Sequence, residues 1–199
     1  MEITASMVKE LREKTNAGMM DCKKALNECA GDLAKAQDWL RQKGLAVAAK
    51  RADRQSSEGQ IMAYIHGGGK LGVLVEVNCE TDFTGKTDEF TQFARDLAMQ
   101  IAAANPICVS PEDLPAEVVE REKAIYLGQV KDSGKPEKIW DKIIEGKLKK
   151  FESEVCLLKQ AFVKDPDKTV EDLLNEMRAK TGENVQIRRF ARFVLGEQS

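Results

Sequence analysis

The sequence has one histidine, His66, and five cysteines, none of them in a Cys-x-x-Cys pair. A structural zinc site usually takes four Cys or His ligands in close pairs, so no metal site is expected. Scattered thiols of this kind suit a protein of the reducing cytoplasm. Long apolar runs are missing as well. The N-terminus, Met-Glu-Ile-Thr-Ala-Ser, lacks the charged and apolar regions of a secretory signal, and neither a leader nor a membrane span is expected. An excess of charge is also absent. The chain has 31 Lys and Arg against 33 Asp and Glu, for a formal charge of -2. Gripping a phosphate backbone takes a dense basic footprint, so no nucleic-acid partner is expected. The one local basic group is Arg188, Arg189 and Arg192. On a strand, Arg188 and Arg192 would share a face and Arg189 would point away, as solvated or partner-facing charges.

What is present, over 199 residues, is enough for one sizeable domain or two modest ones. The spacing predicts an N-terminal helical lobe over residues 1–54. A first helix capped by Thr4 carries Met7, Val8 and Leu11 inward. Asn16-Ala-Gly18 breaks it. A second helix from Met19 to Cys29 turns Ala25, Leu26 and Cys29 inward. A third, capped by Asp32, carries Leu33, Ala36, Trp39 and Leu40 and ends at Gly44. Three short helices with tight turns resemble a ubiquitin-associated (UBA-like) bundle, a type of docking module. Ala46–Gly59 reads as a linker.

Residues 55–199 read as an α+β core. Gly59–His66 and Lys70–Asn78 form a β-hairpin around Gly67-Gly-Gly69. A hairpin alone is marginal in water, and Val185–Leu195 is its natural third strand, giving a three-stranded antiparallel sheet. On that strand Val185, Ile187, Ala191, Phe193 and Leu195 alternate, while Phe190 and Val194 fall on a second face that wants a cover. A strong helix capped by Thr87 carries Phe90, Phe93, Ala94, Leu97, Ile101 and Ala102 and stops at Asn105-Pro106. Helices over Glu117–Lys131 and Glu137–Leu158 make a helical hairpin at about 117–158. Its seam is Trp140, Ile144, Leu148, Phe151, Val155 and Leu158. Asp165-Pro-Asp leads into a short helix, Thr169–Lys180.

No constellation in the chain carries bond chemistry. Gly85-Lys86-Thr87 mimics the end of a phosphate-binding loop, but Glu80 stands where the pattern needs glycine, and its carboxylate would repel phosphate. Cys79 beside Asp82 lacks a neighbouring histidine to act as base. No catalytic residue and no cofactor are expected. The most informative stretch is Glu76–Phe83, an alternating apolar run that ends on Asp82 and Phe83 in a polar strand-to-helix loop. A large aromatic there either tucks into its own core or meets a partner. Besides a protein that acts on a partner, two further readings stand: a docking module on a dimeric scaffold, and a small thiol enzyme using Cys79.

Two longer motifs add a resemblance. Leu11-Arg12-x-x-Thr15-Asn16-x-Gly18-Met19-Met20-Asp21-x-Lys23-Lys24-Ala25-Leu26 and Glu76-Val-Asn-Cys-Glu-Thr81-Asp82-Phe83 resemble the two signatures of the bacterial elongation factor Ts family, in its short form. The resemblance implies a translation factor of the cytoplasm that exchanges guanine nucleotide on elongation factor Tu without bond chemistry of its own. It implies that Arg12, Met19, Met20 and Lys23 meet a helix of that GTPase. Thr81, Asp82 and Phe83 would act beside its magnesium and phosphate-binding loop. It also implies a homodimer paired through the three-stranded sheet. Family members commonly follow the phenylalanine with valine and a small residue. Here Thr84 and Gly85 follow, which is expected to loosen the loop.

Overall fold

The computed structural model describes residues 3–15, 17–51 and 54–197. Asn16, expected in the first helix break, and Ala52 and Asp53, expected in the linker, lie outside the described residues. The chain is a mixed α+β structure that divides into two compact units. One holds Met1–Gly59, Asn78–Phe90 and Asp172–Gln186. The other holds Gln60–Val77, Thr91–Glu171 and Ile187–Ser199.

Three helices open the first unit: α1 (Ala5–Thr15), α2 (Met19–Glu28) and α3 (Leu33–Arg51). Their inward stripes meet in a small core of Val8, Leu11, Cys22, Ala25, Leu26 and Ala36. Met7, Cys29, Leu33, Trp39 and Leu40 pack around it, as the helical spacing predicts. Cys22 is the addition. It is fully buried, and its thiol donates to the Ala17 carbonyl. Asp32 caps α3 by accepting from the Lys35 amide at 3.1 Å.

The third helix does not end at Gly44. It runs on to Arg51, through the stretch expected to be linker. Alanine is the best helix former, and the run after Gly44 is rich in it. Gly44 is not in the left-handed region, and a Cβ there would lie 3.7 Å from the Ala179 Cβ. That is ordinary van der Waals contact, so the glycine here neither acts as a cap nor is demanded by packing.

The sheet orders its strands β1 (Glu58–His66), β2 (Leu71–Cys79) and β5 (Gln186–Val194), antiparallel, so the final strand closes on the early hairpin. Gly67, Gly68 and Gly69 all take positive φ, which an L side chain rarely adopts, and so form the turn. On β2, Val73, Val75 and Val77 are buried while Leu74 faces out. Between β2 and the long helix α5 (Asp88–Ala104) lies one short turn, α4 (Asp82–Gly85). The Thr87 hydroxyl accepts from the Phe90 amide and starts α5, which buries Phe90, Phe93, Ala94, Leu97 and Ile101.

Beyond α5 come α6 (Ala116–Asp132) and α7 (Trp140–Val155), which pack on one another. The expected single helix over Glu137–Leu158 is divided. A 3-10 turn precedes α7 and another, Leu157–Lys159, follows Cys156. Cys156 breaks the helix because its extended backbone forms a bridge with Cys108. The segment Asp165–Thr169, expected only as a lead-in, is strand β4. It pairs with β3 (Ala161–Phe162) and is followed by α8 (Val170–Thr181). A two-residue strand is too short to show a period in sequence.

The last strand departs from strict alternation. Arg188 and Arg189 are both exposed and both reach Glu76, with Arg189 Nε at 2.7 Å from its carboxylate. Arg192 is instead largely buried. Arg188 and Arg192 therefore differ in exposure, Arg188 open to solvent and Arg192 enclosed. The burial phase changes at Arg188–Arg189, so Phe190 and Val194 are half-buried while Phe193 and Leu195 are 67% and 77% exposed. With Ile61, Ile65 and Leu74, also exposed, they leave the sheet with an uncovered apolar face.

Candidate partner-binding site

Phe83 is the largest exposed aromatic among the described residues, at 79%. It does not plug the core of its own chain. The turn that carries it is built locally. Thr81 is extended and its side-chain oxygen accepts from the Thr84 amide at 3.3 Å, capping Asp82–Gly85. The expected loop is therefore a capped helical turn. Asp82, one residue before the ring, is exposed and bonds Lys86 Nζ at 2.7 Å. That ammonium holds the Asp82 carboxyl below the usual range, and the carboxyl raises Lys86 in return.

Thr84 and Gly85 do not loosen this turn. Both are buried. A Cβ on Gly85 would sit 3.2 Å from the Gly59 Cα and 3.4 Å from the Cys79 sulfur. Glycine is there because the β1 backbone passes close, which tightens the fold around the turn.

Sequence reasoning missed Glu183. Its carboxylate accepts from the Glu80 and Thr81 amides at 3.0 and 3.1 Å, and from the Thr81 and Thr84 hydroxyls at 2.6 and 2.7 Å. Glu183 lies about a hundred residues from these partners, in a stretch with no periodic pattern, so no local signal marks it. Burial pushes the Glu183 carboxyl up, but the hydrogen bonds from Thr81, Thr84 and Glu80 outweigh it and the pKa is lowered from 4.5. A lowered carboxylate stabilises the fold above its unfolded pKa and loses that contribution as the pH falls through the folded one. The stability gap between wild type and Glu183→Gln is therefore expected to be constant above about pH 5 and to close below it. Urea melts across that range check this, and a gap that widens on acidification contradicts it.

Cys79 sits behind the same turn. It is buried, and desolvation, with the Glu183 charge adding to it, pushes its thiol up to about 11. A thiol so raised is a poor nucleophile. Alkylation of Cys79 in the folded protein at pH 8 is expected to be about a hundredfold slower than that of a free thiol, from the thiolate fraction alone. Peptide mapping after timed iodoacetamide treatment measures this. Rapid labelling would reopen the thiol-enzyme reading.

The second group of expected residues lies on the helical lobe, in the same compact unit as the turn. Gly18 precedes α2, and the helix opens with Met19 and Met20, 59% and 76% exposed. Lys23 follows one turn later, exposed, and Arg12 is exposed in the last turn of α1. Asp21 between them pairs with Lys43, and Lys43 lies over the Trp39 ring. Two bare, flexible thioethers beside unpaired-looking cations make an adaptable contact surface rather than a packed one. All seven expected site residues are thus exposed. No group of three metal-ligating side chains occurs among the described residues, and none of their helices is long and apolar enough to cross a membrane.

Comparison with known proteins fits this arrangement. A family model described as elongation factor TS matches residues 5–197. The chain is 61% identical over 198 residues to elongation factor Ts of Syntrophobacter fumaroxidans, covering 100% of this chain and 99% of that one. It is 65% identical over 196 residues to that of Desulfotalea psychrophila, covering 98% of this chain and 100% of the relative. For Carboxydothermus hydrogenoformans the identity is 63% over 195 residues, 98% of this chain and 90% of the relative. The short overall length is therefore shared with these relatives. With the match running through both signature stretches and nearly the whole chain, the protein belongs to the elongation factor Ts family of translation elongation factors.

Proposed function

We propose that this protein is a guanine nucleotide exchange factor for elongation factor Tu in the cytoplasm, and that Phe83 is its wedge. The observation that carries the reading is the ring itself, 79% exposed on a rigidly capped turn. Exposing a phenylalanine forgoes burial worth about 1.5–3 kcal/mol, a cost offset when the ring enters a partner. Residues 1–54, as a UBA-like docking lobe, present Arg12, Met19, Met20 and Lys23 to a helix of the GTPase. Thr81, Asp82 and Phe83 reach the region of its magnesium and phosphate-binding loop.

The chemistry of that region makes a wedge effective. Magnesium neutralises phosphate charge and is held by few protein groups, so a small displacement costs much nucleotide affinity. The factor and GDP then weaken one another by the same ratio, as linkage requires. No bond is made or broken. The factor speeds release by binding the nucleotide-free GTPase best, and it meets both the GDP-bound and nucleotide-free forms.

The apolar sheet face is assigned to a second copy of this chain. Ile61, Ile65, Leu74, Phe193 and Leu195 form a patch of the kind that marks an interface. A self-complementary apolar face suits a two-fold homodimer, the commonest oligomer. Mixing the protein with elongation factor Tu carrying a fluorescent GDP tests the exchange reading. Release should accelerate with added factor, and an unchanged rate would sink the proposal.

A further inference from the structure

We infer that Glu183 is a positioning residue for exchange: it holds the Thr81–Gly85 turn so that Phe83 projects. This rests on the wedge reading above and adds the residue that aims the wedge. An aromatic so exposed takes little orientation from packing, so its direction is set by the backbone beneath it. That backbone is a single helical turn, and an isolated turn does not hold itself, because nucleating one fixes several dihedrals for one hydrogen bond. The exposed Asp82–Lys86 pair is a weak brace, since surface pairs are screened by solvent.

Glu183 supplies what the turn lacks. One carboxylate oxygen takes the Glu80 and Thr81 amides, and the other takes the Thr81 and Thr84 hydroxyls. Accepting the Thr81 proton leaves a lone pair of that hydroxyl for the Thr84 amide, the bond that caps the turn. The clamp is reciprocal. Glu80 in turn accepts from the Asn184 amide at 2.7 Å, so the two segments hold each other at adjacent residues. The Asn184 side chain donates to the Arg54 carbonyl at 2.8 Å, and Ser56 donates to the Asn184 carbonyl at 2.6 Å. The bonds to the Glu183 and Glu80 carboxylates are charge-assisted, stronger than neutral ones, and fix geometry as well as proximity.

A residue that acts through Phe83 has a kinetic signature that general loosening lacks. Glu183→Ala should lower the GDP-release rate at saturating factor by about fivefold. It should leave the half-saturating concentration within about twofold, because Met19 and Met20 lie on a different element. In a Phe83→Ala background the same substitution should cost nothing more, since the group it aims is gone. Amide hydrogen exchange over Thr81–Lys86 in the free protein should quicken by about tenfold, while the α1–α3 core stays protected. If Glu183→Ala fails to fold, Glu183→Gln, which keeps the shape and loses the charge, should show the same pattern at about threefold. Additive losses in the double variant, or a wild-type rate with either Glu183 variant while Phe83→Ala is slow, overturn this inference alone. An undiminished rate for Phe83→Ala overturns the wedge reading and this inference with it.

Discussion

Phe83→Ala is expected to slow GDP release from elongation factor Tu about tenfold at saturating factor and to leave the thermal midpoint of the free protein unchanged. The tenfold figure corresponds to about 1.4 kcal/mol, more than the roughly 1 kcal/mol that most interface truncations cost and short of a full hot spot at about 2 kcal/mol. The two halves of this expectation have separate physical grounds. Stability is indifferent because the ring is exposed, so the free fold loses almost no buried area on truncation. The turn survives as well, because its cap comes from Thr81 and its anchor from Glu183, neither of which involves the Phe83 ring. The rate suffers because the interaction is made only with the partner, where it favours the nucleotide-free state. Stopped-flow release of a fluorescent GDP and a calorimetric melt, run on the same preparations, separate the two. A large drop in melting temperature would mean that the ring supports its own chain, and the wedge would then be the wrong description.

Placing a charge on the bare sheet face is expected to abolish the proposed dimer. In Phe193→Asp the dissociation constant should rise by at least about a hundredfold, because desolvating a carboxylate in a largely apolar interface costs several kcal/mol. The folded monomer should tolerate the change, since Phe193 faces solvent on the outward side of β5. The surrounding face is lined mainly by Ile65, Leu74 and Leu195, with Lys70 the one cation of that lining. Of the strand's own cations, Arg192 is paired with Glu197, and Arg188 and Arg189 are shared with Glu76. Light scattering across micromolar concentrations should show the wild type as a dimer and the variant as a monomer with native circular dichroism. A wild type that is monomeric throughout would leave this face for some other cover and defeat the assignment to a second copy.

Much of the molecule can be read from its residues in order. Period decides it: Val8 and Leu11, Ala25 and Leu26, and Leu33 and Ala36 recur at helical spacing and are found facing one core. Strict alternation marks β1 and β2, and three consecutive glycines mark the turn between them. The signatures around Met19–Met20 and Thr81–Phe83 identify the family before any coordinate is seen. Reading fails where a residue's role depends on something far along the chain. Gly44 reads as a stop, yet the helix passes through it, because its backbone does not take the left-handed conformation of a cap. Gly85 reads as slack, yet it is tight, because the Gly59 backbone lies against it. The last strand reads as one alternation, yet its burial does not follow it, and Arg188 and Arg189 are both exposed and both reach Glu76.

The amino-acid order alone thus determined most of the elements, the family and the names of the residues proposed to meet the partner, because helical and strand periods and short motifs are local properties. Whether Phe83 would be swallowed or displayed was settled only by the tertiary structure. The same holds for Glu183, whose carboxylate gathers two amides and two hydroxyls from about a hundred residues upstream. Burial and hydrogen bonding between distant segments leave no trace in local periodicity, and they are what aims the ring.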